Sequence, residues 1–165
     1  LDWCIDKGLT VMGNTDIHNL TAHDYDFSKE YVHRTMTLVL ARERTAESIR
    51  EALEEGRTVA WASKYLLGKE ENVKDLFNAC VELKPSHYTE ARNNGTKINY
   101  YEIKNKSDLY FELNLSDGNT TSRVVLYPNS TQLVTANANS STLTAEVVST
   151  YIRSDQHLKV DFDLR

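Results

Sequence analysis

The sequence predicts an α+β chain, with a partial α/β region over residues 1–80 followed by an all-β sandwich over residues 81–165. Two observations carry this prediction. Up to Cys80, short apolar runs alternate with stretches whose apolar residues recur at helical spacing. Beyond it, apolar residues alternate singly and turn residues recur at short intervals. The length of 165 residues adds a third, since it allows two small units with a modest core each.

Trp3 and Cys4 lie just before Gly8 and read as the last turn of an amphipathic helix, so the chain is expected to start inside a larger domain. Leu9 to Met12, an apolar run between Gly8 and Gly13, reads as a buried strand, with Gly13-Asn14-Thr15-Asp16-Ile17-His18 at its C-terminal end. Asn19 to Tyr31 is polar and reads as a long loop; Thr35 to Leu40 reads as a second strand. Thr45 is placed to cap a helix carrying Ala46, Ile49, Ala52 and Leu53, with Gly56 as its stop. A third strand over Thr58 to Trp61 and a second helix from about Gly68, striped by Val73, Leu76, Phe77 and Cys80, complete the α/β pattern. The three strands are expected to run parallel and to be covered on both faces.

In the second region Leu109, Phe111, Leu113 and Leu115, and later Leu158, Val160, Phe162 and Leu164, alternate as half-buried strands do. Turn signals at Asn93-Asn94-Gly95, Asn105-Lys106-Ser107-Asp108, Ser116-Asp117-Gly118-Asn119 and Pro128-Asn129-Ser130 separate six or seven strands, with no helix among them. The sandwich is immunoglobulin-like without that fold's inter-sheet disulfide, because Cys4 and Cys80 both precede it. Both are expected to be partly buried free thiols. Lys84-Pro85-Ser86 reads as a short hinge between two packed domains.

Composition excludes several classes. The net charge of -5, with no Lys/Arg cluster, argues against nucleic acid as a partner. No apolar run approaches the roughly 20 residues needed to cross a bilayer. Tyr100, Tyr101, Tyr110 and Tyr127 could form an aromatic ligand platform, but strand tyrosines are expected to pack. Seven Asn-x-Ser/Thr triplets, from Asn19 to Asn139, are explained for the most part by turn chemistry.

Chemistry points to Asp16 and His18. They flank Ile17, so on a strand both would face one ion while Ile17 faces the core, and strand ends are where α/β barrels place their ligands. The spacing alone also fits a turn Asp and a surface His. His23, Asp24 and Asp26 make the next loop acidic, which usually means a solvated loop. Arg34 could hold a substrate phosphate as a bidentate donor, or pair with a carboxylate such as that of Asp24 or Glu30.

The ordered series Gly13-Asn14-Thr15-Asp16-Ile17-His18, His33-Arg34-Thr35-Met36-Thr37-Leu38, Glu43-Arg44-Thr45 to Glu51-Ala52-Leu53 and Gly56-Arg57-Thr58 resembles the C-terminal part of PHP-domain phosphoesterases. Leu67-Gly68-Lys69-Glu70-Glu71 and the sandwich after it resemble one bacterial subfamily, the Sb-PDE-type phosphodiesterases. The resemblance implies that residues 1–80 are the C-terminal piece of a PHP-type β/α barrel. It also implies a cluster of divalent metals, Zn, Mn or Fe, with Asp16 and His18 as two ligands and a phosphoester substrate cleaved by metal-activated water. Earlier ligand motifs of that family, beginning with His-x-His, do not occur in these residues. The chain by itself is therefore expected to be inactive and to hold no metal stably, and its catalytic set is incomplete. Export beyond a bacterial inner membrane is compatible with the subfamily, and the compartment stays open. The alternative function is a non-catalytic binding or adhesion module built on the sandwich. Strand edges left open are expected to favour self-association.

Overall fold

The computed structural model describes residues 1–29 and 32–165. The chain divides into two compact units, one of Leu1–Leu76 with Thr150–His157, the other of Phe77–Ser149 with Leu158–Arg165.

The first unit opens with the short helix α1 (Asp2–Asp6), closed by a hydrogen bond from the Leu9 amide to the Cys4 carbonyl (2.8 Å). A single turn, α2 (Thr21–Asp24), follows at some distance. The sheet of this unit takes β1 (Met36–Val39), β2 (Thr58–Ala62), β3 (Tyr65–Gly68) and β11 (Thr150–Tyr151), in that order. Helix α3 (Ala46–Glu54) connects β1 to β2 as the sequence predicts. The Thr45 hydroxyl accepts the Ser48 amide, and the Ser48 hydroxyl in turn accepts the amides of Arg42 and Glu43, so the approach to the helix is fixed from both sides. Gly56, at φ +69°, takes the left-handed conformation that ends the helix.

Two expectations fail here. The strands are not parallel: β1 pairs antiparallel with β2, and β2 antiparallel with β3, with only β3–β11 parallel. A two-residue turn at Ser63-Lys64 joins β2 to β3, and so short a link permits only an antiparallel partner. No barrel is evident among the described residues. Residues 9–12 are not a strand either. Their backbone is pinned by side chains: the Thr10 hydroxyl donates to the Leu53 carbonyl (3.1 Å) and the buried Thr58 hydroxyl donates to the Val11 carbonyl (2.6 Å). An apolar run next to glycine looks the same whether it pairs through its backbone or is clipped this way.

Helix α4 (Glu70–Cys80) leads into the second unit, its Phe77 packing edge-on against Phe111 with centroids 5.2 Å apart. That unit is a sandwich of two sheets. One takes β4 (Val81–Leu83) and β5 (Tyr88–Ala91), both paired with β6 (Lys97–Asn105), and β9 (Thr131–Asn137) on the other side of β6. The other runs β12 (Leu158–Asp163), β10 (Thr142–Val147), β7 (Phe111–Ser116), β8 (Thr121–Leu126). Lys84-Pro85-Ser86 therefore does not act as a hinge between domains. It interrupts an edge strand of the sandwich, where a proline without an N–H costs no ladder bond.

The core is filled from alternate positions, among them Tyr101, Ile103, Phe111, Leu113, Leu115 and Leu143. Asn105 is fully buried; its amide donates to the carbonyls of Leu109 (2.6 Å) and Tyr127 (3.1 Å) and its oxygen accepts from Ser107, so this residue ties two turns together. Asp117 does the same at the other end, accepting from the amides of Asn119, Thr120 and Asn137. Of the four tyrosines, Tyr101 is core, while Tyr100 pairs across the strands with Tyr88 and Tyr110 with Tyr127. Cys4 is half-buried and Cys80 buried, both free, and burial pushes the Cys80 thiol above its ordinary pKa.

Candidate functional site

Asp16 and His18 follow Gly13, which lies against the sheet. A Cβ there would stand 3.0 Å from Ala60 Cβ and from Thr35 Cγ2, and 3.2 Å from the Met36 carbonyl, so only glycine lets the backbone lie so close to β1 and β2. The Thr37 hydroxyl bonds both the amide and the carbonyl of Gly13 at 3.0 Å. The stretch that carries the two residues thus starts from a fixed anchor on the sheet.

Beyond the anchor, exposure alternates: Asn14, Asp16 and His18 are exposed, Thr15 and Ile17 half-buried. The alternation fits the predicted orientation, but the backbone is not that of a strand, since Asp16 sits at φ +49°. This left-handed conformation is uncommon for a residue with a side chain and least costly for Asp and Asn.

Among the described residues, His23, Asp24 and Asp26 do not join them in a group that could hold a metal ion. Asp26 accepts the Ser28 hydroxyl (2.5 Å) and amide (3.1 Å), and the hydroxyl bond above all holds its carboxyl below the usual range. It stabilises its own turn. Asp24 and His23 are exposed on α2. Arg34 is exposed, and the Glu30 partner considered for it lies outside the described residues. His33, next to it, packs at a tilt of 37° against Trp61 (centroids 3.8 Å apart), with its two ring nitrogens 2.6 Å from the carbonyl oxygens of Arg34 and Ser63. That imidazole is occupied by backbone and indole, a contact with no signal in sequence spacing.

Among the described residues, no group of three or more His, Cys, Asp or Glu side chains converges where a metal ion could be held. A divalent ion needs three to six protein or solvent ligands, and two donors do not fix one. These residues alone therefore do not fit the metal centre that the sequence motifs imply. The first unit also has a cleft of about 260 Å³ lined by Ile5, Lys69, Glu70, Ile152 and Arg153, and none of the predicted site residues borders it.

No curated protein matches the chain. Over 99% of its length the chain is similar to the crystal structure of a two-domain protein from Bacteroides vulgatus that contains a predicted PHP-like metal-dependent phosphoesterase, at 31% identity and a TM-score of 0.85. The chain spans 48% of that protein's length. Residues 81–163, which form the sandwich, match the DUF5001 family, described as an Ig-like domain. Through that region, half of its length, the chain belongs to the DUF5001 family of Ig-like domains.

Proposed function

We propose that the chain is one part of a PHP-type metal-dependent phosphoesterase, in which Asp16 and His18 are two ligands of a divalent metal centre and the Ig-like domain is an accessory. The observation that carries this reading is the extent of the likeness to the Bacteroides vulgatus protein. At 31% identity it covers 99% of the chain, and so takes in residues 13–18 as well as the sandwich. In this reading Arg34, exposed beside β1, is the contact for a phosphoryl oxygen of the substrate, and the remaining metal donors lie outside these 165 residues. A diester is the preferred substrate, on the subfamily resemblance of the segment Leu67-Gly68-Lys69-Glu70-Glu71.

The test is metal analysis and turnover of an aryl phosphodiester by a longer polypeptide that contains this chain. Asp16→Ala and His18→Ala should each cut metal occupancy or rate by at least about tenfold, more than loss of a typical supporting residue. Unchanged metal content and rate in both variants would sink the ligand assignment. A longer polypeptide that is metal-free and inactive would favour a non-catalytic binding module instead.

A further inference from the structure

A strand at the edge of a sheet offers unpaired amides and carbonyls to any other chain, and proteins blunt such edges with charges, proline or shortness. Three edges of the Ig-like unit are blunted in these ways. The edge made by β4 and β5 is broken at Pro85 and carries Glu82 and Glu90 on strands of three and four residues. In β12 the Leu164 amide bonds the Ser141 carbonyl (3.0 Å), and the alternation of an antiparallel ladder then turns the main-chain groups of Lys159, Asp161 and Asp163 to the open side. In β8 the same alternation, set by the bond from the Asp117 amide to the Thr120 carbonyl (3.3 Å), places Arg123 at the middle of the open side. The fourth edge, β9, spans the seven residues Thr131–Asn137 with no charged residue and no proline.

The β6–β9 ladder shows which groups of β9 stay open. The Asn105 amide donates to the Ser130 carbonyl at one end and the Ala138 amide to the Lys97 carbonyl at the other, both at 2.9 Å. Bonded pairs alternate between these ends, so Gln132, Val134 and Ala136 aim their amides and carbonyls at β6, while Thr131, Leu133, Thr135 and Asn137 aim theirs away. The Asn137 amide agrees with this direction and is taken by the Asp117 carboxylate (2.7 Å). Thr131, Leu133 and Thr135 are exposed, Leu133 by 59%, and among the described residues their outward main-chain groups have no hydrogen-bond partner.

The open positions indicate their own partner. Thr131, Leu133 and Thr135 read the same in both directions, so a second copy laid antiparallel about Leu133 sets Leu133 against Leu133 and Thr131 against Thr135. Each of these facing pairs exchanges two main-chain hydrogen bonds. Threonine pairs and aliphatic pairs across strands are favourable, and no like charges meet. A twofold interface requires such self-complementarity. The β12 edge lacks it, because the same operation about Asp161 would oppose two carboxylates. We infer that β9 is a homodimerisation edge, through which two copies of the chain join their β6–β9 sheets into one continuous sheet, antiparallel about Leu133.

Sedimentation velocity of the intact chain over a concentration series tests this pairing. A reversible monomer–dimer equilibrium should appear with a dissociation constant below about 1 mM, and the amides of Leu133 and Thr135 should exchange more slowly as the dimer fills. Leu133→Lys and Leu133→Glu, both at an exposed site that folding does not depend on, should each weaken the dimer by at least about tenfold, since each sets like charges directly opposite. Mixed one to one, the two variants should dimerise again, because an ammonium then faces a carboxylate across the axis. Tyr88→Lys, at a residue 58% exposed on the other edge of the same sheet, should leave the dimer unchanged. A chain still monomeric at about 1 mM, its β9 edge left for an extended segment of a different polypeptide, would overturn the inference. So would a dimer indifferent to Leu133→Lys, an open series of larger species, or a mixture of the two variants that stays monomeric.

Discussion

The two units are of similar length, yet they bury their apolar residues very differently. Among the described residues, nine of the twelve largest fully buried side chains lie in the Ig-like unit and three, Leu66, Val59 and Val73, in the first. Exposure runs the other way. Seven of the ten exposed large apolar residues belong to the first unit and three, Tyr88, Tyr127 and Leu133, to the second. Since burial of apolar area is the main favourable term in folding, the sandwich closes its own core, while the unit that carries Asp16 and His18 leaves more of its large apolar side chains exposed.

Phe111→Ala should expose this contrast most strongly. Phe111 is fully buried against Phe77, so its truncation should cost about 3–5 kcal/mol in denaturant unfolding of the sandwich. Met12→Ala, at a residue 54% exposed, should change stability by no more than about 0.5 kcal/mol. Equal losses would mean that the first unit is as closed as the second.

Gly13→Ala should cost about 1–3 kcal/mol, because its new methyl meets Ala60 and Thr35 at 3.0 Å. If circular dichroism melts of this variant and the parent chain coincide, the anchor of the site segment is not where the structure places it. Thr45→Ala should cost about 1 kcal/mol by removing the cap of α3, and Thr45→Ser should restore most of it.

The smallest effect is confined to acid. Burial pushes the Asp117 carboxyl upward, but the amides of Asn137, Thr120 and Asn119 and the Thr120 hydroxyl outweigh it and hold the group below the usual carboxylate range. A pKa lowered in the folded state contributes stability that is complete above the unfolded value and is lost as pH falls through the folded one. The sandwich should therefore lose stability below the ordinary carboxylate range, and Asp117→Asn should flatten that dependence. An unchanged acid limb in the variant would show that other carboxylates carry it.

Local signals were legible in the sequence and pairing signals were not. Thr45 and Gly56 act within one helix, so spacing alone places them, but the stripe predicted for α3 holds only in part: Ala52 is buried, whereas Ala46 and Ile49 are exposed and Ser48 is buried instead. The alternation around Phe111–Leu115 and Leu158–Phe162 likewise shows which face is buried. The direction of β1 against β2 depends on a distant partner, and β3 was hidden because Leu67 and Gly68 read as the approach to a helix. The return of Thr150–His157 to the first unit is non-local in the same way. At the site, the motif named Asp16 and His18, but the φ of Asp16 and the hold of Trp61 and Ser63 on His33 follow from tertiary packing.

Native-state hydrogen exchange on the intact chain tests most directly the claim that the sandwich is self-sufficient and the stretch carrying Asp16 and His18 is not. Amides of Phe111 to Leu115 and of Val160 to Phe162 should exchange only through global opening of the sandwich, and so outlast those of Leu9 to Met12 and His18, which lie outside any regular ladder. If residues 9–18 of the monomer proved the most protected, the first unit would be complete in itself, and the view of it as one part of a larger catalytic body would have to be abandoned.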